Sequence, residues 1–110
     1  MSETPNTHAG QGAVVLDIGG NIGALVVTTP AALAGQEIEI RPVDGPIPAS
    51  LPHVAVVGRP TAHGLQHAAV FAELTDGDYA LYLRPDGPVT LRIRIHGGEV
   101  CHATWPGTAK

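Results

Sequence analysis

Six histidines in 110 residues are the first feature with chemical potential. Imidazole nitrogens ligate zinc or copper, and a structural site needs about four protein groups meeting at one point. His53, His63, His67 and His102 are the candidate ligands. On a helix His63 and His67 would share one side; on a strand they stand about 13 Å apart. Gly64 follows His63 where a zinc peptidase motif needs glutamate, which removes that chemistry. Cys101 neighbours His102, but adjacent strand residues point to opposite faces, so the two do not form a dyad. Cys101 therefore reads as a structural thiol, with no partner in the chain for an internal disulfide. Ser2 and Ser50 lack a Gly-x-Ser-x-Gly elbow, so serine hydrolysis is not expected. No catalytic residue emerges, and a non-catalytic role is favoured.

Arg92, Arg94, His96 and Trp105 make a second constellation. Guanidinium groups bind carboxylate or phosphate in bidentate fashion, and an aromatic beside them adds contact area. If Gly97-Gly98 closes a two-residue hairpin, Ile95 faces Val100 and Ile93 faces His102. Leu91, Ile93, Ile95, Val100, His102 and Thr104 then form the inner face, where a histidine is ordinarily neutral and hydrogen-bonded. Arg92, Arg94, His96, Glu99, Cys101 and Trp105 form the outer face, with Glu99 diagonal to Arg94 and Trp105 diagonal to Arg92. Tyr82 or Phe71 exposed on the same sheet would extend this binding face.

The run Val14-Val15-Leu16-Asp17-Ile18-Gly19-Gly20-Asn21-Ile22-Gly23 resembles the first glycine motif of S-adenosylmethionine-dependent methyltransferases and the phosphate hairpin of sugar kinases and actin-like ATPases. The first resemblance implies a helix after the glycines. Ala24-Leu25-Val26-Val27-Thr28 is β-branched and is soon followed by Pro30, which favours a strand. The second implies a much longer chain with further metal-binding carboxylates. The glycines accordingly read as a turn, with Gly20-Asn21 as its loop and no organic cofactor.

Composition supports short strands: Gly 14 and Pro 10 make up more than a fifth of the chain, and only 4% is aromatic. The length suits one domain with a core of Val, Ile, Leu and Ala. A formal charge of −4 argues against nucleic acid or anionic membrane as partner. Neither a secretory leader nor a membrane span is expected, which predicts a soluble, cytoplasmic protein.

Residues 1–12 are expected to form a flexible arm, residues 13–106 the domain and residues 107–110 a tail. Residues 14–18 and 24–28 form the first hairpin, with Val14, Leu16, Ile18, Leu25 and Val27 on one face. Residues 30–35 allow one helical turn. Glu37-Ile38-Glu39-Ile40-Arg41 alternates, so Ile38 and Ile40 point inward and Glu37 and Glu39 line an exposed face. Pro42, Pro46, Pro48 and Pro52 mark a surface connection. A strand over residues 53–57 ends at Gly58-Arg59-Pro60. Residues 61–74 fit either period; a strand from His67 is preferred, with Ala68, Val70, Ala72 and Leu74 aligned. Asp76-Gly77 and Asp86-Gly87 are turns.

Seven to eight such strands predict an all-β, antiparallel β-sandwich of prealbumin or immunoglobulin type, with a small barrel as the alternative. The run from Phe71 through Leu74 and Gly77 to Tyr79, followed by a Gly-Gly hairpin, resembles transthyretin-like and carboxypeptidase-regulatory-like sandwiches. The chain also resembles small actinobacterial proteins with a similar Gly23-Ala24-Leu25-Val26-Val27 segment and a Gly97-Gly98-Glu99-Val100 hairpin. Neither resemblance implies a catalytic residue. The expected role is a non-catalytic binding or interaction module for a protein or a small acidic ligand. Self-association as a homodimer would use an edge strand or an outer sheet face. A histidine-ligated zinc or copper protein is the alternative.

Overall fold

A computed structural model describes residues 18–44, 51–85 and 87–106. Its strands are β1 (Ile22–Thr28), β2 (Glu37–Pro42), β3 (His53–Ala55), β4 (Val57–Thr61), β5 (Gly64–Thr75), β6 (Gly77–Leu83), β7 (Leu91–Ile95) and β8 (Val100–Thr104). They form two four-stranded sheets, ordered β4-β5-β1-β8 and β3-β2-β6-β7. The expected β-sandwich is therefore present. One short 3-10 turn, Ala31–Leu33, is the helical turn expected between Pro30 and Gly35. No helix among the described residues is long and apolar enough to cross a membrane. The predicted arm, the tail and Val14 to Asp17 of the first hairpin lie outside the described residues.

The core lies between the sheets. Ile38 and Ile40 of β2 are fully buried, as alternation requires, together with Leu25, Val27, Leu81 and Ile95. Gly19 and Ile22 exchange backbone hydrogen bonds of 2.8 and 2.9 Å, which closes the expected Gly20-Asn21 loop. Beyond that bridge, β1 has β5 on one edge and β8 on the other.

The C-terminal hairpin is a correction. β7 pairs with β6 in one sheet, whereas β8 runs parallel to β1 in the other, with Ala24 opposite Val100 and Thr28 opposite Thr104. The Gly97-Gly98 loop carries the chain across the gap between sheets. A Cβ on Gly97 would strike the Gly20 carbonyl oxygen, so glycine is required for the two turns to touch. Because the chain crosses over, the face assignment of β8 reverses. Cys101, Ala103 and Trp105 face the core, and His102 and Thr104 are exposed. Trp105 is only 5% exposed, and burying that large apolar ring favours the crossover over an exposed hairpin face. The Arg92–Trp105 and Arg94–Glu99 pairings do not form.

Two further corrections concern the middle of the chain. The strand beginning at His53 does not end at Gly58; Val56 is buried at a switch point, and the chain continues in the opposite sheet as β4. Gly58, Arg59 and Pro60 lie within β4, an edge strand where proline removes no needed donor. β5 starts at Gly64, before His67, and its inner residues are Ala69, Phe71 and Leu74. A bulge accounts for the change of period. The β1 register shifts between Gly23 and Leu25, so Ala72 and Glu73 together oppose Ala24. Pro42, assigned to the connection, is the last residue of β2.

Trp105 is the only tryptophan, and its burial has a direct optical consequence. Its emission should be blue-shifted and resistant to aqueous quenchers; red-shifted emission in the folded protein would contradict the β8 assignment. Trp105→Ala should lower unfolding stability by about 3–5 kcal/mol in urea titrations.

Candidate functional site

The outer face of the β3-β2-β6-β7 sheet is charged, and strand register fixes its rows. Glu37, Glu39 and Arg41 alternate outward from β2. β6 places Tyr82 opposite Glu39 and Ala80 opposite Arg41. β7 places Arg92 opposite Ala80 and Arg94 opposite Asp78, while β3 places His53 opposite Glu39. One row therefore reads Arg41–Ala80–Arg92 across three strands.

Most charges on this face are paired. Arg84 lies 2.8 Å from Glu37 and 3.1 Å from Glu39, and His53 Nε2 lies 3.8 Å from Glu37. The Tyr82 hydroxyl donates to the Glu39 carboxylate. Arg94 is held by Asp78 at 3.1 Å and Asp76 at 3.7 Å. Such exposed pairs each stabilise the fold by about 1 kcal/mol or less, so they mainly fix side-chain positions. Arg41 and Arg92 have no carboxylate partner among the described residues. The Arg41 guanidinium instead sits 5.7 Å from the centre of the Tyr82 ring, a cation–π contact.

Two strand spacings separate Arg41 from Arg92, about 10 Å between Cα atoms. Ala80 between them is only 4% exposed although it points outward. Beside Arg92, an open groove of about 330 Å³ is lined by Val43, Asp78, Tyr79, Arg92, Ile93 and Arg94.

The fold divides the residues assigned to a binding face. Arg92 and Arg94 share the charged face, and His96 is exposed just beyond β7. Trp105 does not belong to it. Tyr82 is the aromatic on this face, and Phe71 is buried in the core at 3% exposure. Sequence reasoning missed Arg41 and Ala80. The alternation of β2 already turned Arg41 outward, but only pairing with β6 brings it into line with Arg92.

The four candidate metal ligands are dispersed. His53 is on the β3 edge, and His63 is in the β4–β5 turn, where its amide bonds to Thr61 Oγ1 at 3.1 Å. His67 lies along β5 under Gly58, and His102 is on the outer face of β8. Among the described residues no group of three or more His, Cys, Asp or Glu could hold a metal ion. Cys101 points inward and His102 outward, and the Cys101 thiol lies 3.7 Å from the Arg94 carbonyl oxygen. No family model, curated protein or solved structure matches the chain.

The hydrogen bond to Glu39 raises the Tyr82 pKa above 10.0, with burial and the Glu39 charge adding to it while Arg41 and Arg84 oppose it. Burial, with Asp76 as the lesser cause, also raises that of Tyr79. Groups raised in the folded state stabilise it fully below the unfolded value, and that contribution is lost as pH rises through the folded value. Phenolate absorbance should therefore show both tyrosines ionising later in the folded protein than after denaturation. Glu39→Gln should bring one midpoint down, and Tyr82→Phe should remove that same transition; an unchanged titration in Glu39→Gln would refute the assignment.

Proposed function

We propose that this chain is a non-catalytic binding module whose charged sheet face takes a carboxylate- or phosphate-bearing ligand. The carrying observation is the Arg41–Ala80–Arg92 row, in which two arginines without carboxylate partners among the described residues flank a methyl group. Glu37 and Glu39 share Arg84, and Asp76 and Asp78 share Arg94, so the carboxylates of this face are held in pairs away from Ala80 although they are not fully neutralised. Tyr82 steadies Arg41 from below, which reduces the entropy lost when that side chain grips an anion. An anion bridging both arginines gains charge-assisted hydrogen bonds from two directions. Arg94 stands next along β7 and extends the basic edge towards the groove.

Titration of isotope-labelled protein with inorganic phosphate, and separately with succinate, tests this reading. Amide shifts should centre on Arg41, Ala80 and Arg92. Arg41→Ala and Arg92→Ala should each weaken binding about tenfold, equivalent to about 1.4 kcal/mol, without changing the unfolding midpoint. Shifts elsewhere, or unaltered affinity in the double variant, would refute it. Ala80→Leu, which places a larger side chain between the arginines, should weaken binding as strongly as either arginine substitution.

A further inference from the structure

Two neighbouring rows on the charged sheet differ in sign. The Val43 amide bonds to the Asp78 carbonyl oxygen at 2.9 Å, so pairing between β2 and β6 continues one step past Pro42. With Arg94 opposite Asp78, the row after Arg41–Ala80–Arg92 reads Val43–Asp78–Arg94. Arg94 serves Asp76 and Asp78 together, at 3.7 and 3.1 Å, so one negative charge is left over there. The first row carries two positive charges, and no carboxylate among the described residues pairs with either arginine.

Within the second row Asp78 is the group with capacity to spare. Asp76 is engaged at both oxygens, Oδ1 by Arg94 and Oδ2 by the Gly97 amide at 2.9 Å. Asp78 is engaged at Oδ2 alone, and its side chain is 44% exposed. A carboxylate accepts from about four directions, so Oδ1 remains open to a donor. The opposite way along the strands leads to Glu39, which is closed: its side chain is 15% exposed and its oxygens already meet Arg84 and the Tyr82 hydroxyl. The groove beside Arg92 runs in the open direction, since Asp78 and Val43 line it with Arg92 and Arg94.

We propose, resting on the anion reading above, that the ligand is dipolar: a linear molecule of the ω-amino acid class whose anionic end lies on Arg41 and Arg92 and whose ammonium end meets Asp78. Two residues along a strand set the rows about 7 Å apart. An α-amino acid, with a single carbon between its charged groups, is too short for that span. The extended chain of 5-aminopentanoate matches it, and its methylenes pass beside the exposed side chain of Val43. An ion pair in this solvated setting contributes modestly, so the ammonium adds about threefold to fivefold in affinity, and the spacing supplies the selectivity.

Amide-shift titrations of the isotope-labelled full-length chain with 5-aminopentanoate, pentanoate and glycine, run beside the phosphate titration, provide the test. 5-Aminopentanoate should bind about threefold to fivefold more tightly than pentanoate and add shifts at Asp78 and Arg94, whereas glycine should gain nothing over acetate. Asp78→Asn should erase the preference without weakening pentanoate, the buried emission of Trp105 reporting an intact fold. Acetylating the amine of 5-aminopentanoate should lose the same factor on the unsubstituted protein, which keeps the test valid even if the variant misfolds. Equal affinity for pentanoate and 5-aminopentanoate, with both bound at Arg41 and Arg92, overturns this inference and leaves the anion reading standing. A preference that survives both Asp78→Asn and acetylation overturns it as well. Phosphate and pentanoate that leave Arg41, Ala80 and Arg92 unshifted refute the two together.

Discussion

Everything in this structure depends on delivering apolar side chains to the gap between two sheets that a single chain crosses repeatedly. β1 and β2, β4 and β3, β5 and β6, and β8 and β7 are successive pairs of strands on opposite sheets. At each crossing the chain must leave one sheet without burying an unpaired amide and resume alternation with the correct parity in the other. Val56 achieves this between β3 and β4: its side chain enters the core while its amide bonds to Gln36 O at 2.8 Å. At the last crossing the Gly98 amide bonds to Ile22 O at 2.9 Å, which ties the loop to the start of β1. Trp105 then closes the core at the end of β8, with its own amide bonded to Thr28 O at 2.8 Å.

The two outer faces follow from this shared core yet differ in composition. Each strand has one inward and one outward set of residues, and the inward set is constrained to be apolar in both sheets. The outward set is free to vary. On the β2 sheet it is glutamate, arginine and tyrosine, with Arg84 and Arg94 in ion pairs and Arg41 and Arg92 on either side of Ala80. On the β1 sheet it is mainly valine, alanine and threonine, with His102 and Arg59 on the outer strands. One outer face is thus charged and the other largely uncharged.

The comparison between sequence and structure turns on particular elements. The alternation of residues 37–41 identified β2 and its buried isoleucines directly, because a period of two has a local cause in the pleat. The tight loop at Gly20-Asn21 was equally legible, since glycine supplies the backbone angles that such a turn demands. In β5 the period was obscured by the bulge at Ala72 and Glu73, which puts Phe71 and Leu74 on one side three residues apart, a helical spacing inside a strand. The arginine row was half legible. Arg92 and Arg94 were visible as an alternating pair, whereas Arg41 joins them only through pairing with β6, some forty residues further along the chain.

The chain by itself determined that this protein is built of short strands, which residues of β2 are buried, and where several turns fall. These properties are set by interactions among near neighbours. The partner of each strand, and so the face on which β8 carries Trp105 and His102, was decided only by the assembled fold. Gly97-Gly98 permits an in-plane hairpin and a crossing between sheets alike. The choice between them came from the burial of the Trp105 ring and from the edge of β1 on which β8 pairs, both properties of distant residues.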